Sequence, residues 1–207
     1  MPFMAAQHFD DNAQQRIYRA FEALVTNEAT ELPLAKAALL IAMIEYPNLD
    51  LHSYLAQLDA LARRVRVILS LPSTEMVALL PEEIEPLTVL EAINVVLFEQ
   101  EQFHGNEQDY YNPANSFLNK VLEEHTGIPI TLSLLYIEVA KRVGLHLDGI
   151  GLPFHFVVRC LLPSGERFYI DPFDQGRVLN EQECRALIRR MAGGRVRLQT
   201  QWFEPVG

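Results

Sequence analysis

Only two of the 207 residues are cysteine, Cys160 and Cys184, which excludes a disulfide-dense secreted scaffold. No apolar run approaches the ~18–20 residues of a membrane span. The start, Met1-Pro2-Phe3-Met4, lacks the basic stretch and apolar core of a secretory leader. These absences lead us to expect a soluble, cytoplasmic protein that makes no use of a membrane. Gly and Pro together make up only 22 residues, while 49% of the chain is hydrophobic and 21% charged. That balance excludes collagen-like, low-complexity and disordered chains. Positive charge is also short. The formal net charge is −10, so nucleic acid is not expected as a partner, because phosphate contacts need clustered Lys and Arg.

The shortage of cations is local. No Lys or Arg occurs between Arg66 and Lys120, where nine acids from Glu75 to Asp109 fall. Such a stretch reads either as solvated helix faces or as an acidic surface attracting a basic partner. Arg185, Arg189, Arg190, Arg195 and Arg197 form a basic counterpart near the C-terminus that could pair with those acids internally.

Apolar spacing predicts helices over Asp10–Asn27, Leu34–Glu45, a stretch from Asp50 through Ile68, Pro86–Gln102, Pro113–His125, Pro129–Val143 and Glu181–Met191, with a short piece at 74–80. Asp50 is a candidate N-cap, and Gly127 and Gly144 stand where C-terminal glycine caps belong. The segment Pro129–Val143 is apolar almost all round, which places it at the centre of a domain. The period then changes to that of strands: Asp148–Leu152, His155–Leu162, Arg167–Asp171 and a possible last one at Arg195–Phe203. There is no internal repeat and no Pro/Ser-rich linker.

The chemistry candidates lie in this second half. His155 begins one predicted strand and Asp171 ends the next, so an antiparallel hairpin brings imidazole and carboxylate to one sheet edge. The pair reads as a satisfied structural contact or as the acid–base part of a catalytic site. A nucleophile is missing. The start of the central helix, where the dipole would activate a thiol, reads Gly127-Ile128-Pro129-Ile130-Thr131. Thr131 and Ser133 supply the nearest hydroxyls, and local backbone bonding is the simpler role for both. Cys160 lies five residues along the His155 strand and faces the other side of the pleat. Metal-ligand spacings such as HExxH or CxxC, a P-loop and a dinucleotide fingerprint are absent, so neither metal nor cofactor is expected.

Several long segments carry a resemblance. YYNPANSFLNKVLEEHTGIPITLSLLYIEVAKRVG (110–144), GIGLPFHFVVR (149–159) and FYIDPFDQGRVLNEQEC (168–184) resemble the bacterial transglutaminase-like family named after the invasion regulator SirB. EYPNLD (45–50), YLAQLDALA (54–62) and EAINVVLFEQEQFHGN (91–106) resemble its helical N-terminal part, so the likeness spans roughly residues 35–190. It implies an α+β chain: a helical part, residues 1–102, packed on a transglutaminase-like core, residues 103–207, as one folding unit. In that core, related to the papain-like fold, a central helix lies against a small antiparallel sheet.

Active members of the family carry Gly-x-Cys at the helix start, then His, then Asp-Pro. Here Gly127-Ile128-Pro129, His155 and Asp171-Pro172 match those motifs, which puts Pro129 at the nucleophile position. The resemblance therefore implies a vestigial Cys-His-Asp cleft that serves as a protein-interaction or regulatory module. His155, Asp171, Asn115, Ser116 and Asn119 would form its surface, and its ligand would be a protein partner, with a basic one among the candidates. The alternative is a hydrolase or acyl-transferase that uses His155–Asp171 with Thr131, Ser133 or water.

Overall fold

A computed structural model of the chain describes residues 11–26, 32–72, 80–81, 83–194, 197 and 199–206. The helix foreseen at the centre, α6 (Pro129–Val143), packs on one side against the helices α2 (Leu34–Glu45), α3 (Leu51–Ile68), α4 (Pro86–Asn94) and α5 (Leu118–Glu124), and on the other against the sheet. Its two ends follow from sequence. Pro129 fills the first position, where no N–H is needed. Gly144 closes the helix at φ 104°, its N–H reaching the carbonyls of Ala140 and Lys141 at 3.1 Å. Asp50 caps α3 as expected, accepting from the His52 N–H at 3.1 Å. The first helix, α1 (Asp11–Val25), lies on α2.

The helical half departs from simple α-periodicity twice. The element foreseen as Pro86–Gln102 is α-helical only to Asn94 and continues as a π-helix over Val95–Gln100. In an α-helix three consecutive residues fan across about 200°. The wider π-turn gathers them, and Val96, Leu97 and Phe98 are all buried. The helix foreseen at Pro113–His125 is broken at Phe117, which is extended (φ −110°, ψ 124°) between a 3-10 turn, Pro113–Ser116, and α5. The break is anchored by polar groups. The Asn112 side chain accepts from the Ala114 N–H at 3.0 Å, and buried Asn115 donates to the carbonyls of Asp109 (2.8 Å) and Tyr110 (3.1 Å). At the end of α5 the left-handed cap is His125, not Gly127. Gly127 instead belongs to the short strand β2 (Thr126–Gly127), parallel to β1 (His104–Gly105). A Cβ at Gly127 would stand 2.9 Å from Thr131 Oγ1 and 3.1 Å from Val121, so glycine is required where α5 and the first turn of α6 converge.

The main sheet is an antiparallel meander in the order β3 (Asp148–Leu152), β4 (His155–Leu161), β5 (Arg167–Asp171) and β6 (Arg177–Leu179). The first three match the strands read from sequence to within one residue. The fourth strand is β6, and the stretch foreseen as Arg195–Phe203 forms a 3-10 turn over Thr200–Phe203, while 195, 196 and 198 lie outside the described residues. The short piece foreseen at 74–80 also lies outside them, except for residue 80.

Strand alternation sends the two faces into different cores. Val158, Cys160 and Ile170 join the large cluster around α6, which draws residues from Ala35 onward. Ile150, Val157, Tyr169 and Leu179 join a smaller one with Cys184 and Ile188 of the last helix, α7 (Glu181–Met191). Each fully buried Leu, Ile or Val contributes about 1.5–3 kcal/mol, so both faces of the sheet are held firmly. Among the described residues no helix is long and apolar enough to cross a membrane.

Candidate functional site

His155 sits at the junction of a tight hairpin. Leu152 pairs with His155 across the turn Pro153-Phe154, and Phe154 takes the left-handed conformation at φ 67° with 69% of its surface exposed. An exposed bulky residue in that region costs on the order of 1–2 kcal/mol. The following strand, β5, runs back beside β4 and delivers Asp171 to the same face. The two side chains meet as the antiparallel hairpin requires, with His155 Nε2 2.8 Å from Asp171 Oδ2. They are 3% and 6% exposed, respectively.

Asp171 is fixed from its other side too. Its Oδ1 accepts from the N–H groups of Phe173 (3.1 Å) and Asp174 (3.3 Å), capping a 3-10 turn over Pro172–Asp174. A carboxylate that already holds two backbone donors acts as the acceptor towards the ring, so the proton of a neutral imidazole lies on Nε2. Nδ1 is then the lone-pair nitrogen. It is buried and has no hydrogen-bond partner among the described residues. Phe173 stands edge-on to the ring, centroids 6.1 Å apart at 86°. Gly105 makes room for it: a Cβ there would meet the Phe173 ring at 2.5 Å.

The pair lines a cleft of about 560 Å³ between the sheet edge and α7. Phe173, Leu179, Leu187 and Met191 make its apolar walls, and Glu107, Asp174, Arg177, Glu183 and Arg190 its polar ones. Arg177 lies 3.6 Å from Asp174 and 3.7 Å from Glu183.

None of the other nucleophile or binding candidates read from sequence lines this cleft, although Arg190 of the basic C-terminal group does. Pro129 is buried as the first residue of α6. Thr131 Oγ1 donates to the Asn115 carbonyl at 2.7 Å and accepts from the Ile128 N–H at 3.1 Å. These bonds occupy it as a helix-start cap. Ser133 is fully buried, and its hydroxyl has no partner among the described residues. Asn115 is committed to the loop before α5, Ser116 is exposed, and buried Asn119 lies beside the Tyr54 hydroxyl of α3.

Neither thiol has the surroundings of a nucleophile. Burial pushes Cys184 up to about 12, with Asp171 adding to the shift. Burial also raises Cys160. Both are protonated and enclosed at neutral pH, the opposite of a reactive cysteine. Among the described residues no group of three His, Cys, Asp or Glu could hold a metal ion.

Sequence reasoning missed Glu107, Phe173 and the α7 wall. Phe173 was within reach, since it follows Asp171-Pro172 directly. Comparison with known proteins adds three findings. The family model described as "Transglutaminase-like superfamily" matches residues 52–207. A UPF0162 protein of Xylella fastidiosa is 37% identical over 183 residues, 88% of this chain and 61% of that protein. The human F-box only protein 21 is 42% identical over 107 residues, 48% of this chain and 17% of that protein. The chain thus spans about 60% of the length of the first UPF0162 relatives it matches. No solved structure matches it.

Proposed function

The chain belongs to the transglutaminase-like superfamily, and on that premise we propose that it is a non-catalytic member whose His155–Asp171 cleft recognises a protein partner. One observation carries the reading: Pro129, which the motif match sets where active members carry cysteine, is buried at the first position of α6 and brings no nucleophile. Thr131 is held by its own helix start, and the two thiols, on β4 and α7, are buried and protonated. The human relative supports the modular aspect, because there the similar stretch is a small part of a much longer protein. A specifically SirB-like regulatory role and a cytoplasmic setting belong to the same proposal.

The hydrolase alternative keeps one support. Nδ1 of His155 has a lone pair and no hydrogen-bond partner among the described residues, so a water brought against it could give up a proton. Assays with peptide and ester substrates decide between the two. The expected result is no turnover above background for the intact chain and an unchanged blank for His155→Ala. Hydrolysis that disappears with His155→Ala would overturn the non-catalytic reading.

Pro129→Cys tests the alignment behind it. A thiol placed at that helix start should titrate below an ordinary cysteine, about pKa 8.5, because the first-turn N–H groups and the dipole favour the thiolate. Following thiolate absorbance against pH checks this. A value at or above 8.5 would show that residue 129 is not where this fold places a nucleophile.

A further inference from the structure

Beside the cleft, aromatic rings form a continuous ladder from solvent to the buried imidazole. Tyr111 is 92% exposed and meets Tyr110 at 5.4 Å and 81°. Tyr110 meets Phe173 at 6.1 Å and 76°, and Phe173 meets His155 at 6.1 Å and 86°. A tyrosine left almost wholly in water buries little apolar surface of its own, so internal packing does not account for Tyr111. Exposed tyrosines of this kind are typical anchors of recognition surfaces, since they offer rigid contact area at small entropic cost.

The charge at the inner end of the ladder has one predominant sign. Among the described residues, Glu107, Asp171, Asp174 and Glu183 face the cleft against Arg177 and Arg190. Arg177 already lies between Asp174 and Glu183. The imidazole adds an acceptor: with its proton on Nε2 and directed to Asp171, the remaining nitrogen can only receive a hydrogen bond while the ring is neutral. An anionic ligand would meet more carboxylates than guanidiniums here, and Glu107 has no ion-pair partner among the described residues. A cation that is flat, weakly hydrated and rich in donors would find ring faces to stack on and carboxylates to pair with.

We propose that the Tyr111–Tyr110–Phe173 ladder and the acidic cleft behind it bind an arginine side chain presented by an extended segment of a partner protein. The inference rests on the reading of the cleft as a recognition site and names what it recognises. Arginine is favoured over lysine because a guanidinium stacks on an aromatic face and pairs with a carboxylate through two parallel bonds, whereas an ammonium acts as a hydrated point charge. Glu107, exposed at the cleft mouth, is the carboxylate best placed to meet it.

The test is an NMR titration of the intact chain with three peptides of the form Gly-Ser-X-Ser-Gly, where X is arginine, lysine or citrulline. The arginine peptide should shift the signals of Tyr110, Phe173 and His155 and bind at least about fivefold more tightly than the lysine peptide. The citrulline peptide, the same shape without charge, should bind more weakly still. Tyr111→Ala and Glu107→Gln, both at exposed positions, should each weaken the arginine peptide severalfold. Failure of all three peptides to bind, equal binding by all three, or binding indifferent to both substitutions overturns the proposal. Peptide cleavage is followed in the same samples. Its appearance counts against the non-catalytic reading alone, and lost arginine selectivity counts against this proposal alone.

Discussion

Asp171→Ala should destabilise the fold by about 3 kcal/mol or more, a larger loss than His155→Ala produces. The carboxylate is the shared acceptor of three donors: the imidazole at 2.8 Å and the N–H groups of Phe173 and Asp174 at 3.1 and 3.3 Å. Alanine removes every acceptor at once, and a buried donor left without one costs on the order of 1–3 kcal/mol. His155→Ala removes only the ring and leaves Asp171 capping the 172–174 turn, so its cost should be nearer 1–2 kcal/mol. Asp171→Asn should fall between them. One amide oxygen can still cap the turn, but the amide N–H₂ would then face Nε2, and the ring must move its proton to Nδ1 to accept. Urea unfolding of the three variants checks the order. Equal losses for Asp171→Ala and His155→Ala would mean that the turn does not depend on the carboxylate. On the proposed non-catalytic reading, a pair built chiefly to hold the chain reversal at the cleft would persist without a nucleophile.

How far the sequence already carried this picture depends on what kind of information each feature needs. The central helix, its proline start and glycine end, and the first three strands are written in local pattern, and all are found within about a residue. The His155–Asp171 contact follows from pairing geometry once those strands are known. Features of two or three residues carry too little periodicity to be read. The parallel pair β1 and β2 and the edge strand β6 exist because neighbouring chain presents a free ladder to them. The π-turn after Asn94 is set by the core it faces, since Val96, Leu97 and Phe98 compete for one buried side. Which face of the sheet the cleft opens on is the least local property of all. Asn115 and Asn119 stand shortly before the central helix in the chain, yet the Asn115 amide is spent on loop carbonyls and Asn119 lies beside Tyr54, away from the cleft. The wall opposite His155 is supplied by α7, reached only after two more strands.

Glu138→Ala should cost about as much as losing Asp171, roughly 3–5 kcal/mol, although it lies far from the cleft in sequence role and chemistry. Glu138 is a carboxylate with 4% exposure on the largely apolar α6. Its Oε1 accepts the N–H of Ala35 at 3.0 Å, one of the first-turn donors of α2 that no helix can satisfy internally. Its Oε2 pairs with Arg142 Nη1 one turn on, and Arg142 Nε reaches Asp59 of α3 at 2.8 Å. One acid therefore ties the start of α2 and the flank of α3 to the central helix. Truncation leaves a buried N–H without an acceptor and takes one of two carboxylates from a largely buried guanidinium that keeps Asp59, and removing one partner of a buried pair is costly. Glu138→Gln keeps an acceptor for Ala35 and should lose less than half as much. The double variant Glu138→Leu/Arg142→Met removes both charges together and should recover at least half of the Glu138→Ala loss, because apolar replacement of a whole buried pair is often close to neutral. The remainder belongs to the Ala35 N–H. Chemical denaturation of the three variants measures each part. A Glu138→Ala loss below about 1 kcal/mol would mean that water reaches Ala35 and Arg142 freely, and that α2 is held by its apolar face alone.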